Sequence, residues 1–192
     1  MYATLVMLHG MLWWLLAGAG ALLLVACALL YNRLVKLRNR VDNAWSQVDV
    51  QLRRRYDLIP NLLATVKAYA AHESEILGAV VRARDGARSA TTIEEQGKAE
   101  SALTEAIGRL LAVAEAYPEL RSEERFADLQ EELARTEDKI SVSRHIYNDT
   151  TLNYNDAVTT IPSSLLARLA GLTGREYFQA EESSRPTPEV KM

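Results

Sequence analysis

The sequence predicts an all-α protein. An N-terminal transmembrane helix continues into a long antiparallel bundle of three long helices plus a short C-terminal helix. Three observations predict it. Apolar residues recur at steps of three and four over most of the chain, the spacing of one face of an α-helix. Glycine and proline are sparse, 9 and 5 in 192 residues, while Ala, Leu, Arg and Glu are abundant. One uncharged run near the N-terminus is long enough to cross a bilayer. Without that span and a polar tail, roughly 145–150 residues remain, enough for one core.

The span is Met11 to Tyr31, 21 residues without a charge. At helical rise it measures ~31 Å, about the hydrocarbon thickness of a bilayer. Trp13 and Trp14 near one end and Tyr31 at the other suit the two membrane interfaces. No Lys or Arg precedes the run, whereas Arg33, Lys36, Arg38 and Arg40 follow it directly. The positive-inside rule then makes residues 1–10 a short extracytoplasmic N-terminus and places residues 32–180 in the cytoplasm. This is a single pass through a membrane, with the folded part on the cytoplasmic side. Two rival readings exist. A secretory signal wants a basic segment ahead of the apolar run, and Met1 to Gly10 has none. Leu24-Val25-Ala26-Cys27 resembles a lipoprotein processing box, but that reading requires translocating four basic residues just behind it. The lone Cys27 otherwise reads as a small hydrophobe. Ala17-Gly18-Ala19-Gly20-Ala21 forms a slim waist that permits close helix–helix contact.

The next apolar seam runs Leu34, Leu37, Val41, Trp45, Val48, Leu52, Tyr56, Ile59, Leu63, Val66, Ala70, then Leu77 and Val80, with Glu73 bridging at a seam position. It predicts one helix from Asn32 to about Arg84, kinked near Pro60 rather than broken and continuous with the span. Its length, ~80 Å, demands partner helices. Asp85 to Thr92 reads as a turn. Thr92-Ile93-Glu94-Glu95 fits a capping box opening a second helix, with a stripe of Ala99, Leu103, Ala106, Leu110, Val113 and Tyr117 that ends at Pro118. A third helix begins around Ser122, with a stripe from Phe126 through Leu133, Ile140, Tyr147 and Tyr154 to Ile161, stopped by Pro162. Leu165, Leu166, Leu169 and Leu172 then suggest a short fourth helix, docked on the bundle or touching lipid or a neighbouring subunit. Residues 181–192 are polar with two prolines and read as a disordered tail.

Charge is uneven. Residues 31–60 hold seven Lys/Arg against three Asp, while residues 93–143 hold six against thirteen Asp/Glu. Arg33 to Arg40 lie close enough to the bilayer to attract anionic lipid. Arg53, Arg54 and Arg55 stand ~33 Å away on an upright helix, several Debye lengths, and so serve the bundle, a partner or solubility. The net charge of −3 offers no global field for nucleic acid.

No residue pattern points to catalysis, a cofactor or a metal. His72-Glu73-Ser74-Glu75-Ile76 begins like a zinc-protease motif but lacks the second His four residues on. His145 and Asp149 read as a helix surface pair. Two polar features are less routine. Asn39, Asn43 and Gln47 flank the first seam, and a Tyr-Asn pair repeats seven residues apart, at Tyr147-Asn148 and Tyr154-Asn155 on one helix face. With Arg144, these Asn and Gln residues are candidates for interhelical polar contacts that fix register, the rival being a polar binding groove.

The string Tyr31-Asn32-x-Leu34-Val35-x-Leu37-Arg38-Asn39-Arg40-Val41-x-Asn43-Ala44-Trp45-Ser46-Gln47-Val48-Asp49-Val50-Gln51-Leu52, then Arg54-Arg55-Tyr56-Asp57-Leu58-Ile59-Pro60-Asn61-Leu62, resembles the signature of the LemA family. Val66-Lys67-x-Tyr69-Ala70-x-His72-Glu73, Gly108-Arg109-Leu110-Leu111-Ala112-Val113-x-Glu115-x-Tyr117-Pro118, the two Tyr-Asn pairs and Tyr177-Phe178 extend the likeness over about residues 31–182. Ser143-Arg144-His145 departs from it, standing where members often have Ala-Arg-Arg. The resemblance implies a bacterial membrane protein with an extracytoplasmic N-terminus and a cytoplasmic helical bundle, and no assigned enzyme activity or cofactor. One branch of the family is linked to magnetosome membrane compartments. Together these readings predict a non-enzymatic, membrane-anchored structural protein that self-associates and organises or shapes the inner membrane. Its partners are then the lipid bilayer, further copies of itself and, in the alternative reading, another membrane protein (a protease, transporter or sensor) for which it serves as adaptor or regulator. An enzyme with an unfamiliar helical site is the third reading.

Overall fold

A computed structural model describes residues 2–179, with side chains from Trp13 onward. Six helices follow one another: α1 Tyr2–Tyr69, α2 Ser74–Ser89, α3 Ile93–Ala114, α4 Pro118–Arg121, α5 Glu124–Thr159 and α6 Ser163–Leu169. No strand occurs among the described residues. The all-α expectation holds, and the apolar span and the first seam are one helix, α1. The expected tail at 181–192 lies outside the described residues.

Two of the expected boundaries are corrected. The seam read as one helix to Arg84 is divided at Ala70–Glu73, where the Glu73 N–H donates to the Ala70 carbonyl at 3.1 Å and the chain reverses into α2. Arg84 on α2 thereby reaches Tyr56 on α1. The periodicity runs through the break because α2 buries the same kind of stripe, Val80 and Ala87, against its neighbours. A seam this long cannot cover itself, and folding back its last third supplies part of the cover. Glu73, the polar residue at a seam position, sits in the break and precedes the first residue of α2. Its carboxylate accepts from the Tyr117 hydroxyl at 3.3 Å. The turn expected at Asp85–Thr92 is shorter, because α2 continues to Ser89.

Pro60 lies inside α1 without ending it. A proline has no N–H, so the carbonyl four residues earlier, that of Tyr56, loses its helical donor. Arg84 replaces it, donating from Nε to the Tyr56 oxygen at 3.0 Å. The Thr92–Glu95 capping box forms as expected: the Glu95 N–H donates to Thr92 Oγ1 at 3.1 Å, and the Thr92 N–H donates to Glu95 Oε2 at 3.2 Å. Hydrogen bonds from the Thr91 backbone and hydroxyl hold the Glu95 carboxyl below its ordinary range. Pro118 takes the first position of α4, where a missing N–H costs nothing.

The chain forms two compact units. One comprises the residues up to Asp42 with Thr150–Arg175, and the other Asn43–Asp149 with the chain from Glu176. The second, larger unit holds a four-helix core from α1, α2, α3 and α5. Val48, Leu52, Ile59, Leu62 and Val66 of α1 are buried, as are Val80, Leu103, Leu110, Phe126 and Ile140 of the other three helices. Within it α1 and α5 are antiparallel, as Trp45 meets Tyr147, Arg54 meets Glu132 and Tyr69 meets Glu123. In the first unit Leu34, Val41, Thr151, Tyr154 and Ala167 are buried. From Trp13 onward, where its side chains are described, no residue of the apolar run of α1 is buried: Trp13 and Trp14 are 72 % and 81 % exposed, and Leu22 to Leu24 are exposed likewise.

Candidate functional site

Two polar constructions lie inside the folded part. The first, in the larger unit, centres on Arg55 and Glu100, each only 5 % exposed. Arg55 donates to Glu100 Oε2 at 3.1 Å and to Thr104 Oγ1 at 2.8 Å, and pairs with the half-exposed Glu137 at 3.2 Å. The Tyr56 hydroxyl donates to Glu100 Oε1. Gln96 donates to the same oxygen at 3.0 Å and to the Tyr56 hydroxyl at 2.9 Å. Burial pushes the Glu100 carboxyl above its ordinary range, and its hydrogen bonds from Tyr56 and the Arg55 charge pull the other way without cancelling this. Burial, the neighbouring Glu100 charge and the bond it donates to Glu100 push the Tyr56 hydroxyl far up, so it stays a donor. Both Glu100 oxygens and both terminal nitrogens of Arg55 have partners, which is what allows ions in a helical core. Beside the cluster an open groove of about 760 Å³ is lined by Lys98, Glu105, Glu137, Ile140, Arg144 and Phe178.

The second construction holds the chain beyond α6. Residues after Gly171, whose φ of 67° turns the chain out of α6, run without helix along α5. In the smaller unit Asn155 clamps Arg175: its Nδ2 donates to the Arg175 carbonyl at 2.9 Å and its Oδ1 accepts the Arg175 N–H at 2.8 Å. Tyr154 donates to the Thr173 carbonyl at 3.0 Å, and the Arg175 guanidinium pairs with Asp42 at 2.9 Å. In the larger unit Asn148 clamps Phe178 in the same way, at 3.1 and 2.9 Å, and Tyr147 donates to the Glu176 carbonyl at 2.7 Å. An Asn amide used so presents one donor and one acceptor to a single residue, as a neighbouring strand would. Phe178 is buried against Trp45, ring centroids 5.5 Å apart and nearly perpendicular, and Trp45 also meets Tyr147 at 5.2 Å. Gly97 on α3 permits the approach: a Cβ there would lie 2.1 Å from the Gln179 carbonyl oxygen.

The residues singled out in the sequence divide accordingly. Asn148 and Asn155 bind the backbone of the C-terminal segment rather than another helix. Asn39, Asn43 and Gln47 stand exposed on α1, and Arg144 is half-buried on the groove wall. Tyr31 at the end of the apolar run and Arg33, Lys36, Arg38 and Arg40 beyond it are exposed. The three consecutive arginines have three different fates: Arg53 pairs along α1 with Asp49, Arg54 crosses to Glu132 on α5, and Arg55 is buried. The Gln96–Glu100 pair went unnoticed, although Gln96, Glu100, Leu103 and Ile107 share one helical face.

An all-α protein whose folded helices continue an uncovered apolar N-terminal helix, with a C-terminal segment clamped by paired Tyr and Asn, is the class this geometry defines. The chain belongs to the LemA family, whose model matches residues 44–192. It is 28 % identical over 184 residues to the magnetosome protein MamQ 1 of Paramagnetospirillum magneticum, covering 82 % of this chain and 67 % of that protein. It is 27 % identical over 184 residues to the magnetosome protein MamQ of Magnetospirillum gryphiswaldense, with the same coverage. Protein LemA of Metamycoplasma hominis is 24 % identical over 156 residues, 80 % of this chain and 71 % of that one.

Proposed function

We propose that this chain is a non-enzymatic, membrane-anchored structural protein that self-associates and organises the membrane it sits in. The observation that carries this reading is the apolar run of α1, none of whose described side chains is buried, yet part of the same helix that enters the folded core. In water such a surface is unstable, and a bilayer is the solvent that removes the penalty. The names of the magnetosome relatives support a role in a cellular compartment. The basic residues Arg33 to Arg40 favour a cytoplasmic folded part. In this reading the internal polar groups serve to hold the fold rigid, and the small residues Gly18 and Gly20 let neighbouring spans approach.

The test uses full-length protein extracted into lipid nanodiscs. Native mass spectrometry is expected to find more than one copy per particle, and Gly18→Leu with Gly20→Leu to shift the distribution towards one. A strictly monomeric protein removes self-association from the proposal. Membrane-impermeant thiol labelling of Ala3→Cys and Ala102→Cys in a Cys27→Ser background reads orientation, with labelling of only the first from outside the cell as the expected result.

A second reading, an adaptor for another membrane protein, is favoured by the groove walled by Lys98, Arg144, Glu105 and Glu137. Crosslinking in cells discriminates: one heterologous partner in high yield supports the adaptor, and ladders of the chain itself support the scaffold.

A further inference from the structure

We infer that α6 and the turn before it rest in the headgroup region of the bilayer crossed by α1, inserting Ile161, Leu165 and Leu169. This rests on the reading of α1 as a membrane span.

Leu165 and Leu169 lie four residues apart and share one face of α6, and Ile161 stands in the turn that leads into it. They are 77 %, 59 % and 85 % exposed, while the opposite face of α6 buries Ser164 and Ala167. A helix of a water-soluble surface does the reverse, turning its large aliphatic residues inward. Small residues inside and large ones outside suit a helix whose outer surroundings are apolar.

The position agrees. Leu34 is fully buried, and it lies only three residues after Tyr31 at the end of the uncovered run. In the smaller unit the elements available to cover it are the last turns of α5, α6 and the segment that follows. Three helical residues advance ~4.5 Å, within the depth of a headgroup layer. The charge agrees also. Beyond the span, residues 31–42 and 150–175 hold six Lys/Arg against two Asp, a net +4, and Arg168 sits on α6 itself. A net positive charge on the unit that carries these exposed aliphatic side chains suits a surface of anionic lipid. A second copy of the chain is a poorer occupant, because three side chains fall well short of the roughly 800 Å² per partner of a stable interface.

Single cysteines placed by Leu165→Cys, Leu169→Cys, Leu23→Cys or Ala102→Cys in the full-length Cys27→Ser chain, each carrying an environment-sensitive fluorophore, test this in vesicles of phosphatidylethanolamine and phosphatidylglycerol. Labels at 165 and 169 are expected to shift to the blue and to be quenched by lipids bearing a nitroxide near the headgroup. The label at 23 is expected to be quenched by a nitroxide deep in the acyl chain, and the one at 102 by neither. If 165 and 169 behave as 102 does while 23 is quenched, the inference is overturned and the anchor stands. A blue shift at 165 and 169 that grows with protein density, without lipid quenching, assigns the surface to a second copy and equally overturns it. An unquenched label at 23 overturns the anchor and this inference together.

Discussion

The Arg55–Glu100 cluster and the Tyr-Asn clamps bury polar groups in two different ways. The cluster joins side chains to side chains and includes full charges, so each member depends on the others. The clamps join neutral side chains to backbone, so each acts alone and none depends on ionisation. The difference teaches where this protein is fragile. Loss of one ion leaves another stranded in a helical core, whereas loss of one clamp frees a short length of chain that water can solvate.

The largest expected effect comes from breaking the cluster. Glu100→Ala leaves Arg55 with Glu137 and Thr104 only, and should destabilise the folded part by about 3 kcal/mol, near the low end for a broken buried pair. Urea unfolding followed by circular dichroism measures it. An effect below about 1 kcal/mol would show that water or Glu137 fully replaces Glu100.

Breaking the clamps should cost less and in a different place. Asn148→Ala and Asn155→Ala each orphan one backbone N–H and one carbonyl, worth about 1–3 kcal/mol apiece. Gly97→Ala should act with Asn148→Ala rather than add to it, because both release Phe178. In a Trp13→Phe, Trp14→Phe background the emission of Trp45 reports that release as a red shift. Unchanged emission in Gly97→Ala would mean that the chain end adjusts without leaving Trp45.

Arg84→Met removes the donor that serves the carbonyl orphaned by Pro60, at an expected cost of about 1–2 kcal/mol. Pro60→Ala restores a helical N–H to Tyr56, so in that background Arg84→Met should be nearly neutral. A double-mutant cycle without coupling would refute the pairing.

The smallest effect sharpens the comparison through pH. Glu100 has its carboxyl raised by burial, so the folded state holds that proton more tightly than the unfolded chain. Its contribution therefore favours folding below the ordinary carboxyl range and is lost as pH rises through the raised value. Glu100→Gln should flatten the acid-side pH dependence of the denaturation midpoint. Asn148→Ala should leave that dependence parallel to the parent's, since no charge enters the clamp on Phe178.

Much of this was legible in the sequence, and the legible parts share a cause. The span, the seam of α1, the Thr92–Glu95 cap, the entry to α6 after Pro162 and the face shared by the Tyr-Asn pairs all follow from local spacing. Each is fixed by residues within one or two turns of each other. The division at Ala70–Glu73 was not legible, because periodicity persists through a hairpin whose two arms bury equivalent stripes. The partners of Asn148 and Asn155 were hidden for another reason: Thr173 to Phe178 has no helical or alternating pattern, and its structure exists only through what clamps it.

By itself, then, the sequence determined the helices, their apolar faces and the uncovered span, because helix formation and hydrophobic periodicity are properties of neighbouring residues. Only the tertiary structure decided which of three consecutive arginines is buried, what satisfies the carbonyl that Pro60 abandons, and where the C-terminal segment lies. Those outcomes depend on Glu100, Arg84 and Asn148 arriving from elements tens of residues away, and no local pattern encodes such meetings.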